Sequence, residues 1–83
     1  MKRLGDWKAL MIPNTWFLVH HHAWGLQFIY IIQEVTPKQV VFKREGHRGA
    51  VIYDHPKSKE VSFGNGAMTI NRDGIPFVSF YHI

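Results

Sequence analysis

Cysteine is absent from the 83 residues, which removes two common ways of holding a short chain together. Neither a disulfide nor a thiolate zinc site can form. A chain of this length buries only about 60–65% of the surface its unfolded form exposes. Something else must carry the core. Aromatic residues, 14% of the chain, are the available substitute, because each ring buries a large area at low entropic cost.

Carboxylates are also scarce. Six Asp and Glu face ten Lys and Arg, and they are scattered. Neither a glycosidase pair nor an oxygen cage for a hard metal stands out. Ser58, Ser62 and Ser79 lie in no nucleophile-elbow context. No Gly-rich phosphate loop is present, so no cofactor is expected.

Asp, Glu, Lys and Arg are all missing between Ala9 and Gln33. A stretch this long could span a bilayer. Pro13, Asn14, His20, His21, His22, Gly25 and Gln27 interrupt it, and three imidazoles would lack partners on a single helix. No membrane role is expected. Lys2 and Arg3 are not followed by an apolar run with a small-residue cleavage site. Together with the missing cysteines, this points to a cytoplasmic setting.

What remains reads as strands. Met1–Asp6 is expected to be a basic, poorly fixed tail, and residues 7–83 a single domain. Trp7–Ile12 is expected as a short first strand, stopped by Pro13-Asn14. Thr15–His22 alternates Trp16, Leu18 and His20 with Phe17, Val19 and His21. Leu26–Val35 is apolar on both faces, as expected of a central, curved strand. Further strands are expected from Val40, over Ala50–Tyr53 and Glu60–Phe63, and over Met68–Ile70 paired with Phe77–Ile83. Asp73-Gly74 is a strong hairpin signal. Six or seven short antiparallel strands without an amphipathic helix predict an all-β barrel, SH3-like or OB-like. Its expected core is Leu18, Phe28, Tyr30 or Ile31, Val41, Ile52, Phe63 and Val78.

Four constellations could carry function. The first is basic: Lys43, Arg44, His47 and Arg48 around a Gly-bounded turn, with Lys57 and Lys59 on the next loop. The net charge of +4 fits nucleic acid or another acidic partner, with Trp24, Tyr30 or Tyr53 stacking bases beside the patch. The second is apolar: Trp16, Trp24 and Phe28 would anchor a host protein if exposed. A small inhibitor or adaptor, of the kind phages and mobile elements encode, would work this way. Strand edges could also pair two copies. The third is the triplet His20-His21-His22, in which His20 and His22 share a face and are weak metal candidates. The fourth is metal-free RNA cleavage, as in ribonuclease-like toxins, with His47 and His55 as base and acid. A non-catalytic, nucleic-acid-binding module is the leading expectation.

Overall fold

Alternation between two apolar faces lets a sheet curl on itself, and this chain does so. The computed structural model describes residues 4–64 and 66–83, with backbone only for residues 4–6 and 58. A short helix α1 (Leu4–Leu10) precedes seven strands: β1 (Trp16–His21), β2 (Leu26–Val35), β3 (Gln39–Arg44), β4 (Ala50–Asp54), β5 (Val61–Gly64), β6 (Ala67–Arg72) and β7 (Ile75–His82). A single 3₁₀ turn covers Ser58–Glu60. All strand pairs are antiparallel, in the order β4-β3-β2-β1-β7-β6-β5. Two hairpin ladders are thus joined through β1 and β7, and the link from β4 to β5 crosses the open side.

Ring contacts measure the curl. Three strands separate β4 from β7, so in a flat sheet they would lie roughly 19 Å apart. Instead, the Tyr53 ring of β4 meets the Phe80 ring of β7 at 5.7 Å, and Phe42 of β3 stacks on Phe80 at 5.5 Å. The sheet is a half-barrel. A register shift between Ile32 and Glu34 bends β2, and another opposite Ile70–Asn71 leaves Phe77 of β7 without a partner on β6; such bulges bend a strand and increase its twist. The β6–β7 turn has Asp73 at φ 54° and Gly74 at φ 76°. Two successive left-handed residues form the tight hairpin that Asp-Gly favours.

The concave face holds the core. Phe17, Val19, Tyr30, Ile32, Val40, Phe42, Val78 and Phe80 are buried there, together with Met68 and Ile70. Tyr30 and Val78 match the sequence expectation, and Phe28 and Phe63 pack against the core. Leu18, Ile31 and Val41 instead point to the convex face, where they are half-buried, and Ile52 is 56% exposed. Both faces of these strands are apolar, so alternation alone could not tell inside from outside. The assignment makes a test. Phe42→Ala should cost about 3–5 kcal/mol, whereas Ile52→Thr should stay within about 0.5 kcal/mol. Urea midpoints would reverse that ranking if Ile52 were the inward residue.

The N-terminal segment corrects the expectation of a strand over Trp7–Ile12. Leu4–Leu10 is helical, so the expected free tail begins a helix; residues 1–3 lie outside the described residues. Trp7 and Met11 lie one helical turn apart and are both buried, which is helical periodicity. The Met11 amide donates to the Trp7 carbonyl at 3.1 Å. Asn14, at φ 72°, follows Pro13 and redirects the chain. The Trp7 ring meets Phe80 edge-on at 5.3 Å, so α1 stoppers one end of the half-barrel. No described helix is long and apolar enough to cross a membrane.

Candidate functional site in the concave cleft

The curl leaves a cleft of about 740 Å³ above the core, lined by residues of β1, β2, β3, β4, β6 and β7, the β1–β2 turn and the β4–β5 link. Its floor is a polar chain inside an aromatic shell. Tyr30 hydroxyl and His21 Nε2 lie 3.1 Å apart, and Tyr53 lies near enough to Tyr30 for the two phenols to perturb each other. Burial pushes both phenols above their usual range. Both stay protonated at neutral pH.

An arginine stands on each side of this floor. Arg44 lies over the Phe28 ring at 4.0 Å, and Arg72 lies over the Phe77 ring at 4.0 Å. Local pairing explains both. Arg44 is opposite Tyr30, so Phe28 is its diagonal neighbour on the same face. Arg72 ends β6 at the hairpin, near the bulged Phe77. A guanidinium stacked on a ring keeps its edge N–H donors free for an anion. The Trp24 ring stacks on His21 at 5.0 Å and 27°, yet 67% of Trp24 is exposed. Lys57 lines the same cleft, as does Glu60.

His21 is the cleft's titratable centre. Burial lowers its pKa, and the neighbouring Arg44 guanidinium and His20 ring disfavour its cation further. Phe28 and Phe77 pack edge-on against its ring. A histidine with a depressed folded pKa favours the folded state only while neutral. Its contribution is complete above about pH 6.5 and is lost as pH falls from there through the folded-state pKa. Tm should therefore fall between pH 7 and pH 5, and His21→Phe should flatten part of that fall. An identical pH profile for the variant would contradict this role.

The structure sorts the sequence candidates. Arg44 and Lys57 share the cleft with Trp24 and Phe28. Lys43 is opposite Ile31 and faces the convex side. His47 and Arg48 sit in the exposed β3–β4 turn, where the Gly49 amide donates to His47 Nδ1 at 3.1 Å. Lys59 lies outside the cleft, in an adjoining hollow that it shares with Lys57, Asn71 and Asp73. The six basic candidates therefore do not form one rim. Trp16 lies opposite Ile31 on the convex face, so Trp16, Trp24 and Phe28 are not a single patch.

His47 and His55 flank opposite ends of β4, which places an acid–base pair out of reach. His55 is occupied structurally. Its Nδ1 accepts from the Trp7 indole at 3.2 Å, so the proton sits on Nε2, which donates to the Thr36 carbonyl at 2.8 Å. His20 and His22 do share a face, with ring centres 4.8 Å apart. No group of three or more His, Cys, Asp or Glu could hold a metal ion among the described residues.

Sequence reasoning missed Arg72, Phe77 and the role of His21. Arg72 and Phe77 flank the Asp-Gly turn, and that hairpin was the one available signal. No match to this chain is found among protein-family models, curated proteins or solved structures. The functional reading rests on the cleft's own chemistry.

Proposed function

We propose that this domain is a non-catalytic, cytoplasmic module that binds single-stranded nucleic acid in its concave cleft. One observation carries the reading: two arginines held over aromatic rings flank an exposed tryptophan within one concave surface. Stacking on Trp24 suits any base, and the guanidinium edges suit the phosphates on either side. Lys57 and the overall positive charge extend the field along the strand. Duplex would be a poor ligand, because its bases are already stacked and cannot reach Trp24. Fluorescence anisotropy should show a labelled oligothymidylate binding at low salt, more tightly than a duplex of equal length. Equal affinity for both would remove the stacking component of the reading.

A second reading has its own observation. The convex face carries Trp16, 45% exposed, and Ile52, 56% exposed, beside half-buried Leu18, Ile29, Ile31 and Val41. A continuous apolar surface of this kind suits docking on another protein. The inhibitor or adaptor reading therefore moves to Trp16 and the convex face, with Trp24 and Phe28 left in the cleft. The two readings use opposite faces and are compatible.

A further inference from the structure

On the convex face, β1 and the residue after it present His20 and His22 side by side, while His21 points into the cleft. We infer that His20 and His22 form a two-imidazole site for a borderline transition-metal ion such as nickel(II) or zinc(II). The site is independent of the nucleic-acid reading.

Three observations converge. The first is spacing. A bound imidazole nitrogen lies about 2.0–2.1 Å from zinc, which puts the ring centre roughly 3.2 Å from the metal. Two rings at cis square-planar or tetrahedral angles then have centres roughly 4.5–5.2 Å apart. The observed separation is 4.8 Å, with the rings at 82° to each other. The second is orientation of the ligand. His22 Nε2 lies 2.7 Å from Ser79 Oγ, and Ser79 Oγ lies 2.7 Å from Thr69 Oγ1. A proton on Nε2 donated to Ser79 leaves the Nδ1 lone pair of His22 for a metal. A hydrogen bond from the second ring nitrogen is what orients a ligating histidine. The third is an unused donor. His20 Nδ1 is buried without a hydrogen-bond partner among the described residues.

Imidazole ligands without carboxylates select nickel, copper or zinc over magnesium or calcium. With two protein ligands, water fills the remaining positions, so the ion should be exchangeable and of modest affinity. Gln27, opposite His20 on β2, is exposed and near enough in register to bear on a third position.

The test is calorimetric titration of the full chain, carrying no added histidine tag, with nickel(II) and zinc(II). One equivalent should bind in the micromolar range. His20→Ala and His22→Ala should each weaken binding tenfold or more. Ser79→Ala should weaken it about tenfold, because His22 loses the group that orients it. His21→Phe, which keeps the ring packing, and His47→Ala should bind as the natural chain does. Absence of binding at hundreds of micromolar metal would overturn the site. Undiminished binding by the His20→Ala, His22→Ala double variant would overturn it equally.

Discussion

Replacing both Arg44 and Arg72 with alanine should weaken single-stranded oligonucleotide binding by at least about 100-fold at low salt. A hydrogen bond to a charged group contributes about 1.5–3 kcal/mol, so each arginine is worth roughly tenfold or more. The slope of log affinity against log salt should also fall by about 0.7 for each phosphate contact removed from a single strand. Arg44→Lys should recover only part of the loss. It restores the charge but not the planar group over Phe28. Arg48→Ala, in the exposed turn, should have a much smaller effect. A second readout separates local from global damage. Arg44 is one of the charges that hold the His21 pKa down, so its removal should shift the His21 titration upward in a protein that remains folded. Unchanged oligonucleotide affinity in the double variant would remove the cleft from the binding account.

Trp7→Ala should be the most damaging single substitution to the fold. Trp7 is fully buried, and truncating a buried tryptophan costs about 3–5 kcal/mol. The change also leaves His55 Nδ1 without its donor. A domain of this size has roughly 4–12 kcal/mol in all, so Tm should fall by at least about 15 °C. Trp7→Phe retains the edge contact with Phe80 but not the hydrogen bond, and should cost about 1 kcal/mol. A Tm change under 5 °C for Trp7→Ala would mean that α1 does not stopper the half-barrel. The same experiment separates the two sources of stability: ring packing from Trp7, and the link through His55 to the Thr36 carbonyl.

The strands were legible because their turns carry local chemistry. Leu26–Val35 is β2 from end to end, and Asp73-Gly74 is the β6–β7 turn. The faces were less legible. Val40 and Val41, or Val51 and Ile52, are equally apolar neighbours, and only the pairing register decides which points inward. The helix escaped because seven residues with one described buried ring give a weak periodic signal. The basic candidates followed proximity in sequence, which gathered Lys43, Arg44, His47 and Arg48. A strand sends adjacent side chains to opposite faces, so Lys43 and Arg44 part company. Arg72 joins Arg44 only through the curl, which no local pattern reports.

The three tryptophans report three places in the molecule: Trp7 inside, Trp16 on the convex face and Trp24 in the cleft. Their indole N–H resonances are therefore the most direct test of where single-stranded nucleic acid binds. On titration with an oligothymidylate at low salt, the Trp24 resonance should shift strongly and saturate, while those of Trp7 and Trp16 stay in place. A shift of Trp16 with Trp24 unmoved, or no shift of any indole, would contradict binding in the cleft.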